Sequence, residues 1–299
     1  MKKTFIRSVF TLFLIAGLST VSMAAGTNPL TCDTRYPIVL AHGMGVSAKV
    51  LGIIDVWWGI EEALEEEGAT VYKTSVNGMD STTDKAADFK GQVMEILALT
   101  GAEKVNIIGH SHGTIYTRYA ISNLGLAPYV ASYTSLGGPH RGSAIADLIM
   151  YEIPDWLLNA GGDVIDFVYA YVFGDTDPDV LQNGSDLCTD FMTGVFNPNT
   201  PDVPGIYYQS WAFKVKTMPP NIIMEPTWLA LLAIEGANDG MVSVNSAKWG
   251  NFRGVEDAAW YSSGCDHLNT VGHLFGYTPG FDAPQFFVDV VADLKTRDF

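Results

Sequence analysis

Lys104-Val105-Asn106-Ile107-Ile108-Gly109-His110-Ser111-His112-Gly113 starts as a β-branched apolar run, closes in a glycine-framed turn and passes into a helical pattern over His112 to Leu124. A short buried strand that turns directly into a helix is the unit of parallel sheets covered on both faces. The two glycines allow close backbone approach at the turn, which lifts the Ser111 side chain above the strand end. Strand and helix patterns alternate on either side of this stretch. Tyr36 to Ala41 reads as a buried strand, and Ile60 to Gly68 as a helix whose glutamates leave Ile60, Ala63 and Leu64 on an apolar face. Thr70 to Val76 reads as a strand, Lys85 to Thr100 as a helix and Val130 to Leu136 as a strand. Further strand patterns fall at Ile206 to Val215 and Leu229 to Ile234, and Asp282 caps a closing helix carrying Phe286, Phe287, Val290, Val291 and Leu294 on one stripe. The alternation predicts an α/β fold with a mostly parallel sheet and helices on both faces.

Composition narrows the function classes. The chain has 299 residues, of which 47% are hydrophobic, and a formal charge of −16. Its apolar content excludes a disordered chain, and its charge opposes the phosphate neutralisation on which nucleic-acid binding relies. No nucleic-acid partner is expected, and an anionic membrane surface is disfavoured for the same reason. Lys2, Lys3 and Arg7, the apolar run Val9 to Val21 and the small-x-small triplet Ser22-Met23-Ala24 read as a signal peptide over residues 1–24. Residues 25–299 are then one exported domain, extracellular or periplasmic. Residues 144 to about 196 break the strand-helix rhythm with an aromatic and aliphatic run between Gly and Pro residues, and read as an insertion.

Ser111 is the candidate nucleophile. A serine hydroxyl needs an imidazole to take its proton and a carboxylate to orient that imidazole. Of the six histidines, His110 and His112 flank the serine, His42 ends the first strand and His140 follows the fourth, which leaves His267 and His273. In a strand-turn-helix nucleophile of this kind the acid lies between serine and histidine in the chain. The loop Glu235-Gly236-Ala237-Asn238-Asp239-Gly240 supplies Asp239. Asp266, adjoining His267, reads as a loop carboxylate. The backbone N–H groups of His112 and of Met44, in the loop Ala41-His42-Gly43-Met44-Gly45, are the candidate oxyanion donors.

With Tyr36 to Met44, Lys104 to Gly113, Gly138-Pro139-His140-Arg141-Gly142-Ser143, Asn238-Asp239-Gly240 and Asp266-His267-Leu268, the chain resembles bacterial secreted triacylglycerol lipases of the Pseudomonas and Burkholderia type. The resemblance is dense over residues 35 to 150, sparse over 205 to 280, and fades between them. It implies the α/β-hydrolase fold, a triad of Ser111, Asp239 and His267, Met44 and His112 as oxyanion donors, and a helical lid or cap at 144–196. The substrate it implies is a lipid ester at an oil-water interface, and an export chaperone is a possible partner. Similar lipases brace the histidine loop with calcium, using an aspartate two residues after the histidine. Here that position is Asn269, a calcium-ligand candidate with one charge fewer; no cofactor is required by the triad chemistry. Cys32 lies before the first strand, opposite the catalytic edge, so Cys188 and Cys265 are the expected disulfide.

Two other readings use the same residues. One is an esterase or acyltransferase acting on soluble esters or thioesters, and the other a non-catalytic lipid-binding protein. The presence of Ser111, Asp239 and His267 together argues against the second.

Overall fold

The computed structural model describes residues 30–44, 49–50, 54–78, 80–151 and 178–299. The signal-peptide reading of residues 1–24 and the centre of the insertion, 152–177, lie outside these residues. Five of the six strands of the main sheet come from the apolar runs read above. Its strands are β1 (Ile38–Ala41), β4 (Val71–Lys73), β5 (Val105–His110), β6 (Val130–Leu136), β7 (Tyr207–Phe213) and β8 (Asn251–Glu256), all parallel, in the order β4-β1-β5-β6-β7-β8. A small antiparallel pair, β2 (Lys49–Val50) with β3 (Ile54–Asp55), follows β1. Every residue of β1, β5 and β6 is buried, as central strands covered on both faces must be.

One face is covered by α1 (Ile60–Glu66) and the closing helix α7 (Ala283–Thr296), which pack Leu64, Phe287 and Val291 with Ile38, Leu40 and Ile108 of the sheet. The other is covered by α2 (Thr82–Thr100) and α3 (Gly113–Asn123), which pack Phe89, Val93 and Tyr116 with Val39, Ile107 and Tyr133. The alternation along each strand sends neighbouring residues to these two opposite cores. Helix α2 starts at Ser81, whose hydroxyl accepts from the Asp84 N–H at 3.2 Å, and α7 starts at Asp282, whose carboxylate accepts from the Gln285 N–H at 3.1 Å.

The segment Leu229 to Ile234, expected as a strand, belongs instead to a helix, α6 (Glu225–Ile234). A short apolar run has no periodicity to separate strand from helix, and here Pro226 in the first turn and the Leu and Ala residues favour the helix. The sixth strand is β8, which the pattern did not mark. It is an edge strand with Arg253, Gly254 and Glu256 in it, only partly buried, so it lacks an apolar signature. The flanks of the insertion are α4 (Ala144–Met150), α5 (Pro178–Ser185) and helical turns over Thr189–Phe191, Met192–Phe196 and Asn197–Asn199. Leu187, Cys188, Met192 and Phe196 are buried there against Ile115 of α3 and Ala146 of α4, so these flanks are anchored on the body of the fold.

Candidate active site

The turn from β5 to α3 places Ser111 at φ 55°, a left-handed conformation that a non-glycine residue adopts only under the constraint of its surroundings. Those constraints are visible. The Ser111 N–H donates to the Leu136 carbonyl at 3.1 Å, and the Ser111 carbonyl accepts from the Thr114 N–H at 3.0 Å. A Cβ on Gly113 would stand 2.2 Å from the Ala41 carbonyl oxygen, so only glycine lets α3 start this close to β1. Ser111 and Met44 lie together on a pocket whose other walls include Ile145, Ile149, Leu187 and Val242. Its lining is apolar.

Asp239 and His267 meet, although 28 residues separate them in the chain. His267 Nδ1 is 2.7 Å from Asp239 Oδ2, and the main-chain N–H of His267 donates to the Asp239 carbonyl at 2.8 Å. The other carboxylate oxygen accepts from the N–H groups of Met241 and Val242 at 2.9 and 2.7 Å. Asp239 is thus buried and fully hydrogen-bonded. Asp239 lies in the loop after α6 rather than directly after a strand. His273, the other histidine left open by the sequence, is elsewhere: its Nε2 bonds the Asp55 carbonyl at 2.8 Å. His110 packs its ring on that of His267, with centroids 4.6 Å apart.

The loop carrying Met44 is held by His42. The Val76 N–H donates to His42 Nε2 at 3.2 Å, which leaves the proton on Nδ1 to be donated to the Gly43 carbonyl at 2.9 Å. Burial pushes His42 down to about 4, so the ring is neutral. His112, at the head of α3, presents one of the N–H groups that have no acceptor within the helix. Its ring is fixed by Lys85, whose Nζ lies 3.0 Å from His112 Nδ1, and by Thr82, whose hydroxyl lies 2.9 Å from Nε2. Burial lowers His112 as well, and moves Lys85 down to about 7 against the pull of Asp80 and Asp186. Sequence reasoning missed Lys85 and Thr82. The signal was present in the helix periodicity, since Lys85 shares a buried stripe with Phe89, Val93 and Ile96 of α2.

The expected Cys188 to Cys265 disulfide is not formed. All three cysteines are free and buried. Cys188 packs with Ile115 and Met192, whereas Cys265 lies in the separate core cluster that holds Trp57 and Phe287, with its N–H donated to the Lys214 carbonyl. Placing both residues toward the catalytic edge was too coarse, because Cys265 points into the core from beneath the His267 loop.

Asn269, the calcium-ligand candidate, is turned away from such a role. Asn269 Oδ1 accepts from the Asp266 N–H at 3.2 Å, which turns its NH₂ group toward the His273 and Tyr277 carbonyls at 3.2 and 3.4 Å. Donors therefore occupy the positions where a cation would require oxygen atoms.

The chain has the α/β-hydrolase fold, with a sharp strand-to-helix turn at Ser111, an imidazole hydrogen-bonded to a carboxylate and an apolar pocket that includes Ser111. Among its relatives are a triacylglycerol lipase of Burkholderia plantarii, 35% identical over 62% of this chain and 55% of the relative, and one of Vibrio cholerae, 46% identical over 41% and 38%. The chain thus spans about half or less of the length of these curated relatives. A family model described as palmitoyl protein thioesterase matches residues 37–171. The mature form of a Bacillus licheniformis lipase superposes with a TM-score of 0.64 at 20% identity, over 87% of this chain and 92% of that one.

Proposed function

We propose that the protein is an exported carboxylic ester hydrolase acting on lipid esters, with Ser111, Asp239 and His267 as its triad. The observation that supports this reading is the 2.7 Å contact of His267 Nδ1 with Asp239 Oδ2, with the His267 ring packed on that of His110, the residue before Ser111, which itself lines the apolar pocket. The carboxylate accepts the Nδ1 proton, which leaves Nε2 as the base. His267 removes the hydroxyl proton as Ser111 Oγ attacks the ester carbonyl; the N–H groups of Met44 and His112 bind the resulting oxyanion. The tetrahedral intermediate collapses when His267 returns that proton to the leaving alcohol. Water, deprotonated by the same imidazole, then attacks the acyl-enzyme, and Ser111 regains its proton as the fatty acid departs. The apolar pocket suits the acyl chain, and Ile145, Ile149 and Leu187, from the two ends of the insertion, line it, which supports the lid reading. Export is read from residues 1–24, and the lipases among the relatives support the substrate class.

A second reading, hydrolysis of lipid thioesters, is favoured by the match to the palmitoyl protein thioesterase model. The two are separated by assaying p-nitrophenyl esters from acetate to palmitate, emulsified triacylglycerol and palmitoyl-CoA, with wild type and Ser111→Ala. Hydrolysis of long-chain esters and emulsion, abolished in Ser111→Ala, is the expected result. Preference for palmitoyl-CoA would make the protein a thioesterase. Unchanged hydrolysis by Ser111→Ala would end the triad assignment.

A further inference from the structure

The loop that carries His267 is closed by a carboxylate the proposed reaction does not use. Asp266 is fully buried, and its oxygens accept from the Asn221 main-chain N–H at 2.7 Å, the Asn221 side-chain amide at 2.9 and 3.0 Å, the Leu268 N–H at 3.1 Å and the Asn269 N–H at 3.0 Å. The Asn221 amide also donates to the His273 carbonyl at 3.0 Å. Asn269, as described above, takes the Asp266 N–H and donates to His273 and Tyr277. Three chain segments are thereby tied together: the loop after β7 through Asn221, the turn 266–269, and the segment 273–277. His267 sits inside this frame, its own N–H held by the Asp239 carbonyl.

We propose that Asp266 is a positioning residue for His267, and that the Asn221-Asp266-Asn269 hydrogen-bond clasp does the bracing that a calcium ion does in similar lipases. The argument is one of donor and acceptor supply. A hard cation needs converging oxygens. At this position the two carbonyls of residues 273 and 277 meet amide N–H groups, and the Asp266 carboxylate is already saturated with N–H donors. Flipping the Asn269 amide to offer an oxygen would set its NH₂ against the Asp266 N–H. Flipping Asn221 would set its oxygen against a carboxylate and the His273 carbonyl. Each residue's orientation is therefore fixed by the others, and the clasp is internally complete. It connects the base to the fold through a set of largely buried hydrogen bonds of 2.7 to 3.4 Å, and a displacement of a catalytic group by 1 Å can cost about 100-fold in rate.

The proposal rests on the hydrolase reading only for its kinetic arm. Two experiments test it. In the first, the chelated and desalted protein is titrated with calcium chloride by calorimetry and heated with and without millimolar calcium. The expected result is no saturable heat and a Tm unchanged within about 1 °C. Stoichiometric binding at micromolar calcium with a rise in Tm would overturn the proposal, whether or not the protein hydrolyses esters. In the second, Asp266→Asn and Asn221→Ala are assayed on p-nitrophenyl butyrate below their Tm. The expected result is a kcat lowered roughly 10- to 100-fold with KM within about twofold of wild type, because the base is misplaced while the acyl pocket is intact. A purely structural carboxylate would lower Tm and leave the kcat of the folded variants unchanged, and that outcome in both variants overturns the positioning role. A wild type that turns over no ester would instead count against the hydrolase reading, with the calcium arm still deciding the clasp.

Discussion

The imidazole of His110, the residue before the candidate nucleophile, lies against that of His267 with ring centroids 4.6 Å apart and planes inclined at 39°. On its other side His110 meets Trp57 edge-on at 6.5 Å. Burial holds His110 well below its ordinary pKa, so the ring beside His267 is neutral and adds no repulsive charge when His267 takes a proton. The contact is therefore one of shape, together with a hydrogen bond between the His110 ring and the His267 backbone. His110→Ala is expected to leave a cavity beside the base, to lower stability by about 2–4 kcal/mol and to reduce kcat more than it raises KM. Chemical denaturation paired with steady-state kinetics checks this, and an unchanged kcat would show that Asp239 alone orients His267.

Asp239→Asn tests the tautomer argument. The amide fits the same space, and its oxygen still accepts from Met241 and Val242, but its NH₂ faces His267 Nδ1 and drives the imidazole proton to Nε2. A fall in kcat of about 10⁴-fold is expected with little change in Tm. Retained activity would point to another acid.

Two glycines should answer substitution in opposite directions. Gly113→Ala places a methyl 2.2 Å from the Ala41 carbonyl oxygen, between the fully buried β1 and the buried start of α3. Gly91 lies exposed within α2 with nothing within 4 Å of its notional Cβ. Gly91→Ala is expected to stabilise by about 0.5–1 kcal/mol through helix propensity. Gly113→Ala is expected to cost at least about 3 kcal/mol or prevent folding. Urea midpoints of the two variants, or soluble yield for Gly113→Ala, decide it.

Stability should fall in mild acid. His42, His110, His112 and His140 are all lowered by burial, His42 to about 4. Below the ordinary histidine pKa of 6.5 the unfolded chain takes up these protons while the folded chain does not, so the folded state loses ground as pH falls. For His42 alone the loss is about 2 kcal/mol between about pH 6.5 and 5. Urea denaturation across that range should show the slope, and His42→Gln should flatten it. Equal slopes in the two proteins would mean that His42 is protonated in the fold.

Lys85 acts at the other end of the scale. Burial lowers it from 10.5 to about 7, so between these values the unfolded chain holds a proton the folded chain has released, and stability rises with pH. Lys85→Met removes the titrating group and should remove the rise. Its hydrogen bonds to the Gly78 carbonyl and to His112 are lost as well, which predicts a lower kcat through a looser His112. Parallel pH-stability curves for wild type and variant would refute the first expectation.

Much of this molecule is local, and local features are legible in a sequence. The elbow around Ser111 needs only a strand, two glycines and a helix in succession, and the central strands announce themselves because burial on both faces favours apolar residues, with buried polar exceptions such as Asn106 and Ser132 hydrogen-bonded to each other. The closing helix is marked by its cap at Asp282 and its apolar stripe. The choice of Asp239 followed from chain order, and the fold brings it to His267.

What lay outside the sequence depended on partners distant in the chain. Leu229 to Ile234 has no periodicity, so whether it is strand or helix is decided by its neighbours, and β8 shows only the mixed residues of an edge. The cysteines were close enough in topology to suggest a bridge, yet their side chains enter different cores. Asp266 could be recognised as a carboxylate beside His267, but its role requires Asn221, which is 45 residues away, and hydrogen bonds at that separation exist only once the loops have been set side by side. Periodicity and steric necessity act along the chain and are written there; the saturation of a buried polar group is settled by whatever the fold places within 3 Å of it, and for this protein that is where the proposed support of the catalytic base resides.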